Sequence, residues 1–178
     1  MLPRLVSARL RLRPLEPTDA PALLAHLADD REAVERTAAI PWPLTEADMR
    51  AWIARVGRDA PLGMVFAVTR RSDGVLLGVA GLSWPAEGPP GGHAGVVEVG
   101  YWIGRAHWGR GHATEALGLL LDQGRLLGAR EAAAVTFAGN AASERVLEKN
   151  GFHRTGAAER CYPARGGVRR VTLWALVL

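Results

Sequence analysis

Cysteine is nearly missing: the 178-residue chain has one, Cys161. That excludes an internal disulfide and any zinc site built from several cysteines. Lysine is just as scarce, Lys149 being the only one among 22 lysines and arginines, which reflects coding bias and not function. No run of basic residues interleaves with aromatics, so the net charge of +4 suits an anionic ligand but does not argue for nucleic acid. The N-terminus lacks an apolar signal core, and no apolar run is long enough to cross a bilayer. A soluble, cytoplasmic protein is therefore expected. His107 and His112 stand five apart across a turn without acidic or cysteine partners, so no metal is expected. What is present is ordinary for a globular chain. With 48% hydrophobic and 22% charged residues, disorder is not indicated, and one domain over residues 1–178 is the expectation.

Local patterns divide the chain into alternating strands and helices. Leu10 and Leu12 alternate with Arg9, Arg11 and Arg13 in a strand with one wet face, closed by Pro14. Thr18-Asp19 is expected to cap a helix carrying Leu23, Leu24 and Leu27. After a break at Ile40-Pro41-Trp42-Pro43, Thr45 caps a second helix with Met49, Trp52, Ile53 and Val56 on its apolar side. Val65 to Val68 and Val75 to Leu82 read as a hairpin turned at Ser72-Asp73-Gly74. Pro85 to Gly95, rich in glycine and proline, reads as an exposed, mobile loop. A strand over Glu131 to Phe137, a short helix over Ala141 to Asn150 ended by Gly151, and two facing strands near Phe152 to Cys161 and Val168 to Leu178 complete the chain. The fold class is α/β: a mixed sheet flanked by helices.

The most informative stretch runs from Ala94 to Gly128. Val96, Val97, Val99, Tyr101, Trp102 and Ile103 make an apolar strand. Beyond Gly109-Arg110-Gly111, apolar residues recur at Ala113, Leu117, Leu120, Leu121 and Gly124, and Leu127 and Gly128 continue the stripe at helical spacing. Glycines at a helix start let backbone N–H groups without intrahelical partners approach a ligand closely. With the helix dipole behind them, those groups form an anion site, most often for phosphate. Arg105 and Arg110 add positive charge beside it. The pattern is not a Walker loop, because no Gly-Lys-Ser/Thr follows, and Thr114 takes the third glycine place of the dinucleotide pattern.

Trp108-Gly109-Arg110-Gly111-His112-Ala113 resembles the acyl-CoA-binding motif of GCN5-related N-acetyltransferases, Gln/Arg-x-x-Gly-x-Gly/Ala, with Trp108 replacing the first polar residue. Asn140-Ala141-Ala142-Ser143 through Val146-Leu147 to Lys149-Asn150-Gly151-Phe152 resembles a second block of the same family, Asn-x-x-Ser-x-x-(apolar)-x-x-Lys-x-Gly-Phe. A capped helix alone would account for much of the second block. The two blocks in this order, one strand apart, are more specific. Glu98-Val99-Gly100-Tyr101-Trp102-Ile103, with Pro41-Trp42-Pro43 and Trp52-Ile53, resembles the subgroup of ribosomal-protein N-terminal acetyltransferases.

The resemblance implies a mixed, mostly antiparallel sheet whose middle strands, Val96–Gly104 and Glu131–Phe137, splay apart. Acetyl-CoA would lie in that gap as the cosubstrate, with its pantetheine along Val99, Tyr101, Trp102 and Ile103. Its pyrophosphate would meet the amides around Trp108, Gly109, Arg110, Gly111, His112, Ala113 and Thr114, while Asn140 and Ser143 would approach the pantetheine or the amine. Direct attack of an amine on a thioester needs a proton acceptor and a donor for the thiolate. Glu98 is the candidate base, since it interrupts an apolar strand on the face shared with Gly100 and Trp102. Burial beside an apolar wall would raise its pKa, though an ion pair with a nearby arginine suits the same residue equally. Ser143 takes the donor role in the resembled subgroup, and a capping hydroxyl in the first turn is its alternative. Trp42 and Trp84, beside breaks in the chain, are candidate acceptor-pocket walls.

These readings converge on an acetyl-CoA-dependent N-acetyltransferase acting on a primary amine, either a protein or peptide N-terminus or a small molecule. Glu87 is the only acid between Trp84 and Gly95, which disfavours a strongly cationic acceptor. A non-catalytic CoA-binding module and a basic nucleic-acid-binding protein are the alternatives, and monomer and homodimer both stay open.

Overall fold

The computed structural model describes residues 2–58, 63–84 and 95–178. Most of the loop expected over Pro85 to Gly95, including Glu87 and His93, lies outside the described residues. Eight strands form one sheet: β1 (Leu5–Val6), β2 (Leu10–Pro14), β3 (Gly63–Arg70), β4 (Leu76–Ser83), β5 (Val96–Ile103), β6 (Glu131–Phe137), β7 (His153–Tyr162) and β8 (Gly167–Val177). Their spatial order is β1-β2-β3-β4-β5-β6-β8-β7. Among the described residues, only the central β5–β6 pair is parallel. That pairing covers Val96, Val97 and Glu98 against Glu131, Ala132 and Ala133, and goes no further. From Val99 onward β5 is bonded to β4 alone, while β6 stays paired to β8 as far as Phe137. The middle of the sheet is therefore splayed, in the mixed and mostly antiparallel α/β arrangement that the family resemblance implies.

Period-two alternation along the strands sends side chains to two separate apolar layers. Val97, Val99 and Ile103 of β5 join Ala116, Leu117, Leu120 and Leu121 of α4 (His112–Leu126) and Leu147 of α5 (Ala141–Lys149) in one cluster. The opposite layer holds Leu23 of α1 (Ala20–Ala25), Val34 of α2 (Arg31–Glu35), and Met49 and Ile53 of α3 (Glu46–Arg58) against Ala67 and Val79. Trp102 packs on this second layer, as alternation from Glu98 requires. Leu117 and Leu120 are wholly removed from water, each contributing about 1.5–3 kcal/mol of transfer free energy. That burial fixes α4, and with it the turn that precedes the helix.

Several local expectations shift by a turn. The helix start at Thr18-Asp19 is a 3-10 turn over Pro17–Asp19, in which Asp19 bonds back to the Glu16 amide at 2.9 Å and pairs with Arg13 at 2.7 Å. Leu27 falls beyond α1, and the separate helix α2 starts at Asp30, whose carboxylate accepts from the Ala33 amide at 3.0 Å. Thr45 caps α3 as expected, reciprocally with Asp48. The apolar stripe of α4 ends at Gly124, short of Leu127 and Gly128. Gly128 takes φ +84° and donates to the Arg125 carbonyl while Ala129 donates to Gly124, which terminates the helix and leaves Leu127 exposed.

Candidate active site

The turn between β5 and α4 carries two left-handed glycines, Gly109 at φ +73° and Gly111 at φ +76°. Left-handed backbone is strained for residues with a Cβ, and here it turns successive amides outward. Gly111 is the N-cap and contributes no side-chain bond. Among the described residues, the amides from Gly109 to Thr114 have no backbone partner, and Glu115 is the first to bond, to the Gly111 carbonyl at 3.0 Å. A Cβ at Gly109 would meet nothing within 4 Å, so the space in front of the turn is open. Open space, unpartnered amides and a 15-residue helix behind them fit a diphosphate.

The β1–β2 connection braces this turn from one side. Arg9 donates to the Arg110 carbonyl at 2.8 Å and pairs with Glu115, which also accepts from the Ser7 hydroxyl at 2.7 Å and the Arg9 amide at 3.0 Å. Burial would raise the Glu115 carboxyl, but these donors outweigh it and hold the pKa below the usual carboxylate value. Arg110 is exposed and has no ion pair among the described residues. Arg105 does not serve the turn: it binds Asp30 and Glu32 of the α2 segment and lies 4.7 Å from the Trp108 ring centre. Trp108 touches both apolar layers and donates from its indole to the Ile103 carbonyl, the last of β5. Its place in the motif is therefore filled by packing. His112 is buried, Ala113 packs on the α4 layer, and the Thr114 carbonyl accepts from Asn150 at 3.3 Å.

One turn into α5, two hydroxyls meet beside the splay. The Tyr101 hydroxyl lies 3.0 Å from the Ser143 hydroxyl and 3.2 Å from the Ser143 carbonyl. Asn140 is the helix cap, accepting from the Ser143 amide at 3.3 Å, so the Ser143 hydroxyl is not the capping group. Burial pushes the Tyr101 phenol up to about 12, against the opposing bond from Ser143. At neutral pH it remains a proton donor.

Glu98 stands on the opposite face of β5. Its side chain is 43% exposed and its carboxylate lies 3.9 Å from Arg160 of β7. The apolar wall expected around it is absent: the β7–β8 ladder runs on past the end of β6, and Arg160 of that extension stands beside the carboxylate. A Cβ at Gly100, the next residue on the same face, would meet nothing within 4 Å. Space thus adjoins Glu98 at the point where the strands separate.

A 510 Å³ cavity opens between α2, the turn after β6 and the start of β8. Arg165, in the β7–β8 connection, closes one side of it. Its buried guanidinium donates to the carbonyls of Thr37 and Val34 at 2.7 Å, of Ala164 at 2.6 Å and of Ile40, and to the Thr37 hydroxyl at 3.0 Å. This one side chain ties the β7–β8 tip to the segment leading into α3.

The acetyltransferase (GNAT) domain family matches residues 9–153. The chain belongs to the GNAT acetyltransferase family. It is 32% identical to the uncharacterized protein YkkB of Bacillus subtilis (strain 168), over 84% of this chain and 85% of that one. It is 28% identical to the uncharacterized N-acetyltransferase YoaA of the same organism, over 99% and 98% of the two chains. Among solved structures it shares its fold with Mycobacterium smegmatis RimJ in complex with CoA-disulfide, with a TM-score of 0.81, 22% identity and coverage of 94% and 81%.

Within this GNAT acetyltransferase, the sequence-predicted residues divide between the two sheet faces. Val99, Tyr101, Ile103 and Ala113 of the turn face α4, and Ser143 meets the Tyr101 hydroxyl there, whereas Trp102 packs on the opposite layer, Glu98 shares its face of the strand, and Asn140 lines the cavity beside α2. Trp42 is 38% exposed in the segment between α2 and α3, and Trp84 packs on the α4 layer, so the two are not brought together. Neither lines the cavity beside α2. Sequence reading missed Arg9 and Glu115 as braces of the turn, Asn150 as the link from α5 to α4, and Arg165 as the clasp. Only Asn150 carried a signal, lying inside the second motif block. The others depend on contacts more than 100 residues apart in sequence. Among the described residues, no helix is long and apolar enough to cross a membrane.

Proposed function

We infer that this single-domain protein is an acetyl-CoA-dependent N-acetyltransferase acting on a primary amine by direct attack. The observation that carries the reading is the row of unpartnered amides from Gly109 to Thr114 at the mouth of a splay that leaves one edge of β5 unbonded. The turn would hold the pyrophosphate, with Trp108 buttressing it. The free edge of β5 over Val99, Tyr101, Trp102 and Ile103 would bond the pantetheine as an added strand does. Asn140, whose side-chain oxygen caps α5, would offer its amide nitrogen to the pantetheine or the amine.

The coenzyme supplies an activated acyl carbon on sulfur. The acceptor must present a neutral amine, since a protonated one has no lone pair. Glu98 is proposed to remove that proton, directly or through a water, from the face where Gly100 leaves room. As the C–N bond forms and the C–S bond breaks, the sulfur gains charge. The Tyr101–Ser143 hydroxyl pair would then donate a proton to it, Ser143 being the member nearer the coenzyme path and Tyr101 holding it in place. Trp42 and Trp84 are proposed only as outer walls of the acceptor path. A cytoplasmic location, with the protein as monomer or homodimer, belongs to the same reading.

Thiol release with an amine panel, alongside coenzyme binding by calorimetry, tests the assignment. Glu98→Gln should lower kcat on the order of 10²-fold, and Ser143→Ala about tenfold, both with unchanged acetyl-CoA affinity. Tyr101→Phe should resemble Ser143→Ala. Unchanged turnover in all three would discard the roles. Acetyl-CoA that left the melting temperature unmoved would discard the enzyme reading itself.

A further inference from the structure

The charges around the cavity beside α2 do not balance. Glu32, Glu35, Arg36, Arg165, Arg169 and Arg170 line it, four guanidinium groups against two carboxylates. Both carboxylates are already engaged: Glu32 between Arg36 and Arg105 at 2.5 and 2.8 Å, and Glu35 with Arg31 at 2.8 Å. Arg165 is saturated by the carbonyls it clasps. Arg169 makes one bond, to the Arg165 carbonyl at 2.6 Å, and has no carboxylate partner among the described residues. Arg170 lies opposite Glu159 in the ladder and has no ion pair among the described residues.

A second observation concerns register. Arg169 of β8 sits directly opposite Arg160 of β7. Like charges at directly opposed positions of an antiparallel pair are destabilising, with Cβ atoms only about 4.5–5.5 Å apart. Among the described residues, the one acid within ion-pair distance of Arg160 is Glu98, at 3.9 Å. An anion shared by Arg160 and Arg169 would relieve that repulsion, and it would lie one side chain away from Glu98. Arg169 also lines the 510 Å³ cavity beside α2, whose volume falls in the range of small-molecule sites, while Arg160 and Glu98 lie outside its lining.

We propose that the acceptor amine carries an anionic group, carboxylate or phosphate, which Arg169 binds with Arg160 beside it. This rests on the acetyl-transfer reading and specifies its acceptor. The anion gives the substrate a fixed distance from Glu98, so its recognition and the orientation of the amine are one event.

Turnover with acetyl-CoA is compared for matched pairs that differ only in the anion: alanyl-aspartate amide against alanyl-asparagine amide, and O-phosphoethanolamine against ethanolamine. The acidic member of at least one pair should show about tenfold higher kcat/KM, mostly through KM; whichever pair shows it identifies the source of the anion. Arg169→Gln should bring that ratio close to one, with acetyl-CoA affinity unchanged, and Arg169→Lys should restore part of it. Equal or better use of the neutral members overturns the proposal, as does a preference that survives Arg169→Gln. Weaker acetyl-CoA binding by Arg169→Gln also overturns it, since the arginine would then serve the coenzyme's own phosphates. If coenzyme binds but no amine of either charge releases thiol, the acetyl-transfer reading fails and this specification goes with it.

Discussion

The two faces of the splayed sheet are built on different principles. On the α4 side, the candidate coenzyme site consists of consecutive residues, Gly109 to Thr114, and its functional groups are backbone amides. On the α2 side, the candidate acceptor site is gathered from residues near 32–36, 98–100, 137–140 and 160–170, and its functional groups are side chains. Amides positioned by glycine φ angles tolerate changes in neighbouring side chains, as the presence of Trp108 within the motif illustrates. Side chains positioned by long-range clasps can change individually, and specificity can change with them. A common coenzyme and a variable acceptor are what this division of labour permits.

The sharpest way to break the comparison is to give the coenzyme side a side chain it cannot accommodate. Gly111 has φ +76°, and a Cβ there would approach Arg9 Nη2 at 3.4 Å. Gly111→Val places a β-branched residue in left-handed backbone, at a cost of order 1–3 kcal/mol. If the turn escapes by rotating its amides away, acetyl-CoA binding should weaken about 10–100-fold by calorimetry. Acceptor discrimination among the molecules that still turn over should not change. An altered acceptor preference would show that the two faces are not separable.

The converse test acts on the clasp. Arg165→Met leaves the Thr37 and Ile40 carbonyls without their side-chain donor, while Val34 keeps the Thr37 amide and hydroxyl, at about 1–3 kcal/mol. The melting temperature should fall by about 2–4 °C for each kcal/mol lost. Acceptor KM should rise several-fold while acetyl-CoA affinity holds. A fall in coenzyme affinity of the same size would place Arg165 in the general stability of the fold and not in the acceptor wall.

How far each face could be read from the sequence follows from the same contrast. The turn, the strand before it and the capped helix α5 are local: glycine spacing, β-branched runs and the Asn140 cap each announce themselves within about a dozen residues. The splay was implied through the family resemblance, since nothing in β5 or β6 alone says where a ladder stops. The acceptor side was scarcely legible. Arg165 lies in a short segment after Pro163 that looks like any surface turn, and its partners are the carbonyls of residues with no distinctive side chains. Glu98 was found because a carboxylate is conspicuous in an apolar strand. Of the two surroundings that suit it, an apolar wall and a nearby arginine, the strand alone does not choose, since Arg160 arrives from β7. Tyr101 was expected along the coenzyme path, yet its hydroxyl contact with Ser143 spans 42 residues and needed the fold.

The smallest expected effect concerns pH on the coenzyme side. His112, at the start of α4, is buried, and its Nδ1 has no hydrogen-bond partner. Burial is the chief reason that its imidazole titrates below the ordinary value, with Arg9 and Arg110 acting in the same direction and Glu115 and a contact to the His107 backbone opposing. His107 is shifted in the same sense, again chiefly by burial. Because the folded pKa is depressed, the unfolded chain takes up its protons first as pH falls. Stability should therefore be greatest above about 6.5 and decline below it. Glu115, also depressed, adds a second decline only in the carboxylate range. Thermal unfolding between pH 8 and 5 should show the first decline, and His112→Leu should reduce it without abolishing it, since His107 remains. A variant with the same pH slope as the parent would mean that the imidazole at the helix start is not among the groups being titrated.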